Sequence, residues 1–329
     1  MRADFRLVAS AIAVLASTAG CGGGGGAGGD GGGGGGVVGW TVVDLHPAGA
    51  TRSAAFGAAG GQQVGWADVG GQRRASLWSG TAASWVDLAP AGAGESEATG
   101  VSGGQQVGVA RVGGQHRASL WRGTAAPWVD LHPAGATSSW ARGVSGGQQV
   151  GYAMVGGHRR ASLWSGTAAS WVDLTPAGTG GDSYATGVSG GQQVGYAEVG
   201  GQRRASLWSG TAASWVDLTP AGATSSEAWT VAGGQQVGGA DVGGQRRASL
   251  WRGTAGPWVD LHPAGASDSD ALGVSDGQQV GYAEVAGSPR ASLWRGTAAS
   301  WVDLHAHLPG EFVESVASGV WTGNGRTYV

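Results

Sequence analysis

Aspartate and arginine are the residues of this sequence that could carry out chemistry in a repeated pattern. The tripeptide Val-Asp-Leu recurs every 43 residues, with one step of 44, and in six repeats an arginine stands 13 residues before its aspartate. A ring of aspartates could hold a metal ion, but each carboxylate here has its own arginine to neutralise it. We therefore predict structural ion pairs and no metal site. The predicted pairs are Arg74–Asp87, Arg117–Asp130, Arg160–Asp173, Arg204–Asp217, Arg247–Asp260 and Arg290–Asp303.

An enzyme needs a particular set of reactive residues, and near-identical repeats supply few one-off positions for it. The departures from the repeat are Arg52, Arg142, His158, Glu95, Glu97, Asp182, Asp268, Asp270 and Asp276. Asp268 and Asp270 are candidate calcium ligands, but no glycine turn or distal glutamate completes a calcium loop, so solvated loop acids are the preferred interpretation. Histidine alternates with threonine after the Asp-Leu step, which indicates a strand end. We predict no catalytic residue and no cofactor.

Each repeat is predicted to form four short strands, which we name a, b, c and d in chain order. In residues 183–219 the predicted strands are Tyr184–Ser189, Gln192–Val199, Arg203–Trp208 and Ser214–Leu218. Gly-Gly pairs between strands suit tight hairpin turns, and a proline after strand d removes a backbone donor and ends the ladder. The repeat is therefore a four-stranded antiparallel sheet.

Four antiparallel strands in about 43 residues are typical of a propeller blade, so we predict an all-β fold, a β-propeller, over residues 37–329. Six full repeats are present, Val37–Leu45 is predicted to be an isolated strand d, and residues 314–329 a strand a with the start of a strand b. A ring closes well when an N-terminal strand completes the last blade. This predicts seven blades, the last without a strand c; an open solenoid is the rival architecture.

The hairpin between strands b and c sets a charge pattern. With Gly70-Gly71 as the turn, Asp68 faces Arg73 across the two strands. The same register gives the pairs Glu198–Arg203, Asp241–Arg246 and Arg111–His116. We expect exposed pairs that fix the register, each contributing about 0.2–1 kcal/mol.

The first 36 residues are predicted to be an export signal and a tether. The apolar run Leu7–Ala16 is too short to span a bilayer, and small residues lead from it to Cys21. This pattern resembles a bacterial lipobox, which implies cleavage before Cys21 and a diacylglycerol on its thiol. We predict a lipoprotein signal peptide over residues 1–20, then a lipidated cysteine and glycine-rich tether over 21–36. The anchor would hold the chain at the cell envelope, on the outer membrane or cell surface.

Three motifs of the repeat carry a resemblance to a known family. They are Ala185–Ser189, Gln193–Ala197 and Arg204–Trp208. These motifs resemble the HAF-type extracellular repeats of bacteria, and the resemblance covers about residues 40–329. It implies an extracellular or envelope location and a propeller-like fold, and it implies no defined reaction and no site residues.

Composition leaves two classes of function open. A formal net charge of -3 gives no electrostatic basis for binding nucleic acid. The first class is a non-catalytic binding or surface-display module for a protein or a glycan. The alternative is a carbohydrate-active or other hydrolytic propeller with its site in the variable loops. One-off carboxylates that converge in a pocket would favour the second class.

The two ends of the ring differ in how much their turns vary. The a–b and c–d turns share one end, which we call the invariant end because Ser-Gly-Gly-Gln-Gln and Ser-Gly-Thr-Ala-Ala-Ser recur there with few changes. The b–c turns and d–a links share the other, the variable end, where most of the sequence diversity lies. Variable loops on a rigid scaffold carry recognition, so we predict a ligand at the variable end. Trp140, Tyr184 and Trp229 are the candidate contacts, although each could instead pack between blades.

Overall fold

The fold is described from a computed structural model. It describes residues 16–17, 40–41, 43–123, 127–253, 256–310, 312–323 and 326–329. Cys21, the glycine-rich tether and most of the predicted signal peptide lie outside the described residues. No helix in the described part of the chain has the length and apolar character needed to cross a membrane.

Six four-stranded antiparallel sheets, each built from one repeat, form the blades of a β-propeller, which we number 1 to 6 in chain order. The a strands are Arg52–Ala59, Ser96–Ser102, Ser138–Ser145, Ser183–Ser189, Ala223–Ala232 and Ser269–Ser275. The b strands are Gln62–Val69, Gln105–Val112, Gln148–Val155, Gln192–Val199, Gln235–Val242 and Gln278–Val285. The c strands are Gln72–Trp78, Gln115–Trp121, His158–Trp164, Gln202–Trp208, Gln245–Trp251 and Ser288–Trp294. The d strands are Val86–Asp87, Val129–Asp130, Val172–Asp173, Val216–Asp217, Val259–Asp260 and Val302–Asp303.

Strand d is shorter than predicted because a turn of 3-10 helix takes its first residues. In blade 4 the segment Ala212–Ser214 forms this turn, and the outer strand is only Val216–Asp217. Ser214 Oγ accepts the backbone N–H of Ser209 at 2.8 Å, and Trp215 Nε1 donates to Ser206 Oγ at 2.8 Å. The other 3-10 turns are Ala82–Ser84, Ala168–Ser170, Ala298–Ser300 and His305–His307.

The a strands lie innermost and touch one another around the ring, which requires small residues. A Cβ added to Gly143 would lie 3.0 Å from the carbonyl oxygen of Thr186 in the next blade. Each a strand also carries a β-bulge, which in blade 3 falls between Ala141 and Gly143 and leaves Arg142 as the extra residue. At the bulge, strand a comes very close to strand b of its own blade, since a Cβ on Gly151 of strand b would lie 1.9 Å from the carbonyl oxygen of Trp140. A bulge of this kind re-aims the side chain that it carries.

The core consists of separate apolar clusters between consecutive blades. Between blades 2 and 3, Leu120 and Leu131 pack with Ala141 and Trp164, and all four are fully buried. Ala118 donates its backbone N–H to Ser139 Oγ of the next blade at 2.9 Å, so a polar bond crosses the same interface. Truncating a buried tryptophan costs about 3–5 kcal/mol, so the repeated Ala-Ser-Leu-Trp motif is a packing motif.

The prediction of seven blades is wrong, because the described residues form six full blades. The chain ends instead make a small sheet of two- and three-residue strands, in the order Trp40–Thr41, Ala16–Ser17, Arg326–Tyr328 and Trp321–Gly323. Trp40–Thr41 pairs with Ala16–Ser17 and not directly with a C-terminal strand. The cause is in the sequence, because the C-terminal segment has no Ala-Ser-Leu-Trp motif to form a third strand.

The C-terminal segment nevertheless lies between the last and first blades. A Cβ added to Gly273 of blade 6 would lie 3.1 Å from Cα of Gly319, and a Cβ on Gly319 would lie 3.9 Å from the backbone nitrogen of Ala58 in blade 1. Residues 312–320 contain no strand. The ring is thus completed by irregular chain at this position, which fits a closed propeller and not an open solenoid.

Candidate functional site

Glutamine side chains join the blades at the invariant end. Gln149 Nε2 donates to Oε1 of Gln105 in the preceding blade at 3.3 Å, and its own Oε1 accepts the backbone N–H of Gly166 at 2.7 Å. The same two bonds recur at Gln106, Gln193, Gln236 and Gln279. All five of these glutamines are fully buried. The sequence at this end is therefore repeated for a structural reason.

The predicted arginine–aspartate pairs lie on the outer part of all six blades. The shortest pair is Arg117–Asp130 at 2.6 Å, and the longest is Arg160–Asp173 at 3.6 Å. The second carboxylate oxygen of Asp173 accepts the backbone N–H of Thr175 at 2.8 Å, so each aspartate also caps a turn. Both side chains remain about one-third exposed. Within the described ranges, no three His, Cys, Asp or Glu side chains lie close enough together to hold a metal ion.

Grooves on the outer side of the ring separate some consecutive blades. The groove between blades 5 and 6 has a volume of about 700 Å³ and is lined by Arg247, His262 and Trp301, among others. His262 contacts Ser269 Oγ through Nδ1 at 2.8 Å and the carbonyl oxygen of Ala266 through Nε2 at 3.1 Å. Both imidazole nitrogens are thus engaged within the fold, so this histidine is positioned as a structural residue.

Charges at the variable end connect neighbouring blades. The observed register pairs Asp68 with Arg73, as the sequence predicts. The closest carboxylate to Arg73 belongs to the next blade, because Arg73 Nη1 lies 3.0 Å from Glu97 but Arg73 Nε lies 3.8 Å from Asp68. Arg203 behaves in the same way, at 2.5 Å from Glu227 of the next blade and 3.8 Å from Glu198 of its own. The predicted register is confirmed, but the expectation that these pairs are exposed is wrong for Asp68, which is buried. Stacking of the blades also brings a third charge close to the arginine.

An acidic cluster forms where blades 5 and 6 meet. Arg246 Nη2 lies 2.9 Å from Glu227 and 3.1 Å from Asp270, and Trp229 Nε1 donates to the other oxygen of Asp270 at 3.0 Å. The two acids are only 6% and 5% exposed. Burial raises the pKa of Asp270 to about 6, although Arg246 and the Trp229 hydrogen bond lower it. The backbone N–H of Arg246 donates to Asp268, so both candidate calcium ligands bind this arginine. The interpretation as solvated loop acids is wrong for Asp270, which lies in strand a of blade 6 and is buried.

An aromatic–arginine cluster lies on strands a and b of blades 3 and 4. Its members are Trp140, Arg142, Tyr152, Tyr184 and Tyr196. Arg142 lies over the Trp140 ring at 4.8 Å from its centroid, and Arg142 Nε donates to Tyr184 Oη at 2.7 Å. Tyr184 lies 4.7 Å from Tyr152 and 5.8 Å from Tyr196 between ring centroids. Burial raises the pKa of Tyr184 to about 12, although Arg142 lowers it.

The three candidate contact residues thus divide between the two clusters. Trp140 and Tyr184 come together through Arg142, whereas Trp229 is the bulge residue of blade 5 and belongs to the acidic cluster. Sequence reasoning missed Glu227, although it stands at the strand position of Glu97. Aligning the residue that follows the serine of each a strand, as Glu97 follows Ser96 and Glu227 follows Ser226, would have found it.

The two clusters at the variable end differ in their accessibility. The aromatic–arginine cluster has partly exposed rings at Trp140, Tyr152 and Tyr184 and an exposed cation at Arg142, which are groups suited to stacking and hydrogen bonding. The acidic cluster is closed, because its carboxylates are buried and face arginines.

No known protein family matches this sequence, and no curated protein matches it. Solved structures do match. TolB from Acinetobacter baumannii has a TM-score of 0.51 at 13% identity over 78% of this chain, and puromycin hydrolase has 0.57 at 14% over 81%. The β-propeller domain of the Trilobed protease from Pyrococcus furiosus has 0.51 at 10% identity, covering 81% of this chain and 86% of that domain.

TolB and puromycin hydrolase are longer than this chain. It spans 65% of TolB and 48% of puromycin hydrolase. At such low identity the likeness shows the β-propeller fold alone, because one fold hosts many functions.

Proposed function

We propose that this chain is an envelope-anchored propeller that binds a protein or glycan ligand at its variable end without catalysis. The observation that carries the proposal is the contrast between the two ends. The invariant end is occupied by a repeated network of buried glutamines, such as Gln149 on Gln105. The variable end instead carries one-off aromatic and charged side chains at equivalent strand positions. Some of these one-off residues, such as Glu227, join neighbouring blades, whereas exposed ones such as Arg142 are available to contact a ligand.

Export and anchoring belong to the same proposal. They rest on the apolar segment before Cys21, on the glycine tract after it and on the resemblance of the repeats to HAF-type extracellular repeats. A flexible tether lets the propeller stand away from the membrane. Mass spectrometry of the mature protein tests this part: we expect an N-terminal Cys21 carrying a lipid. An unmodified thiol, or cleavage at another residue, contradicts it.

A hydrolytic propeller is the second candidate, and the acidic cluster is the observation that favours it. Glu227 and Asp270 meet at one arginine nitrogen, and Asp270 has a pKa near 6, as a general acid requires. Both carboxylates are at least nine-tenths buried, so a substrate reaches neither without rearrangement. We therefore favour binding.

A screen of the purified protein on glycan and protein arrays tests the proposal, followed by incubation with each ligand retained. Binding without turnover is the expected result. Turnover that disappears in both Glu227→Gln and Asp270→Asn, while both variants remain folded at the assay temperature, would establish the hydrolytic alternative.

A further inference from the structure

In two blades the residue at the bulge of strand a hydrogen-bonds to the next blade, and in blade 3 it does not. In blades 2 and 4 these residues are Thr99 and Thr186, whose hydroxyls donate to the carbonyl oxygens of Ala141 and Ala228 in the next blade, at 2.9 and 2.7 Å. In blade 3 the same position holds Arg142, which makes no such bond. Arg142 is exposed. Its side chain is therefore not needed for the joint between blades that the threonines make.

Arg142 also forms no ion pair with any described carboxylate, although the charge of the more distant Glu97 contributes to raising its pKa. Arg52, Arg73, Arg159, Arg203 and Arg246 at the same end each have a carboxylate within 3.2 Å. Arg142 has none within 4.0 Å among the residues that the structure describes. Its Nε hydrogen-bonds to Tyr184, and the two terminal nitrogens make no hydrogen bond to any described residue. The guanidinium thus has two free donors on one edge.

Its neighbours hold this guanidinium in a fixed orientation. Trp140 contacts one part of the cation at 4.8 Å, and the Tyr184 hydroxyl accepts a hydrogen bond from Nε at 2.7 Å. A planar guanidinium that is oriented in advance loses less side-chain entropy when it binds, and its two parallel N–H groups match the two oxygens of a carboxylate.

The surroundings of Arg142 indicate what is attached to that carboxylate. Trp140, Tyr152 and Tyr184 are partly exposed aromatic rings next to the cation. The C–H face of a pyranose ring packs on such flat surfaces, and phenolic hydroxyls exchange hydrogen bonds with sugar hydroxyls. We propose that Arg142 and the aromatic rings around it form a binding site for a uronic-acid unit of an acidic glycan. This inference deepens the proposed function and rests on it.

Isothermal titration calorimetry of the full chain with trigalacturonate tests the site. We expect binding to wild type that weakens as salt rises, and no binding of the methyl-esterified trimer, which has the same rings without the charge. Arg142→Gln should weaken binding at least about tenfold, and Arg142→Lys should weaken it less because it keeps the charge but not the paired donors. Arg111→Gln is the matched control, since Arg111 is exposed at the same end, has no carboxylate partner and lies outside the cluster. It should bind like wild type.

Several results would overturn the inference. They are equal binding by wild type and Arg142→Gln, equal binding of the esterified trimer, no binding of the trimer, or preference for an acidic peptide such as Gly-Gly-Asp. Thermal melts of Arg142→Gln and Arg142→Lys check that the fold is kept, because Arg142 also hydrogen-bonds to Tyr184. A loss of binding by a variant that remains folded reports on the site. If an array ligand binds at the variable end with the same affinity for wild type and Arg142→Gln, this inference fails and the proposed function stands. If the only binding is at the invariant end, the proposed function fails as well.

Discussion

Glu227 and Asp270 stand on the inner strands of adjacent blades and both lie within hydrogen-bonding distance of one atom, Nη2 of Arg246, at 2.9 and 3.1 Å. Neither carboxylate is more than 6% exposed. Arg246 thereby contacts three carboxylates from two adjacent blades, because Asp241 of its own hairpin also lies 3.4 Å from its Nη1. Removing one member of such a buried group leaves the others without a partner, which costs more than the group contributes when complete.

The raised pKa of Asp270 predicts a pH dependence of stability. Its pKa rises from 3.8 to about 6 in the folded protein, chiefly through burial. The folded state therefore holds the proton more tightly than the unfolded state, so this residue stabilises the fold progressively as pH falls from above 6 towards 3.8. Relative to Asp270→Asn, the free energy of unfolding of wild type should rise by about 1–3 kcal/mol between pH 7 and pH 4. Denaturant unfolding of both proteins across this range measures it, and parallel pH profiles would refute the assignment.

The outer arginine–aspartate pairs predict that two acids of similar exposure contribute differently to the free energy of unfolding. Asp173→Ala removes the partner of Arg160 and the cap on the Thr175 N–H, whereas Glu198→Ala removes a 3.8 Å contact from an arginine that keeps Glu227. We expect Asp173→Ala to lower the free energy of unfolding by about 1–2 kcal/mol and Glu198→Ala by less than about 0.5 kcal/mol. Thermal and denaturant melts of the two variants decide it. Equal, negligible losses would mean that the aspartate ring is not structural and would revive a ligand role for it.

Blade 6 contains backbone strain that the other blades avoid. Its turns place Asp276 at φ 45° and Ala286 at φ 54°, where the equivalent residues of blade 4 are Gly190 and Gly200, at φ 57° and 60°. A side chain in this left-handed region is strained, so Ala286→Gly should raise the free energy of unfolding by about 0.5–1 kcal/mol. The reverse change, Gly200→Ala, is the matched control and should lower it by a similar amount, because nothing lies within 4 Å of an added Cβ there. Melts in which both variants shift in the same direction would count against this explanation.

Local features of the fold followed from the sequence, and contacts between blades did not. Gly-Gly turns fix a hairpin with only one register, so the pairing of Asp68 with Arg73 could be predicted from residues five apart. Arg73 and Glu97 are 24 residues apart, and their contact depends on how two sheets stack, which no local pattern encodes. For the same reason Arg142 was recognisable as a departure from the repeat but not as a partner of Tyr184. The prediction of a seventh blade was wrong because it was based only on the phase of the repeat at the two ends of the sequence, although the C-terminal segment lacks the residues of a third strand.

The central claim is that the ligand binds at the variable end, and a pair of segment swaps tests it most directly. The first swap replaces Thr137–Trp140 and Gly181–Tyr184 with the sequence of Thr51–Ala54, which keeps the buried serines at 139 and 183 that accept backbone N–H groups of the preceding blade. The matched swap, at the invariant end, replaces Ser165–Ser170 with the sequence of residues 252–257.

The measurement is the affinity of each swapped protein for a ligand retained by wild type on the arrays, with thermal melts as the control for folding. The account predicts that the link swap abolishes binding, that the loop swap leaves it intact, and that both proteins remain folded. Binding that survives the link swap but disappears with the loop swap would contradict it.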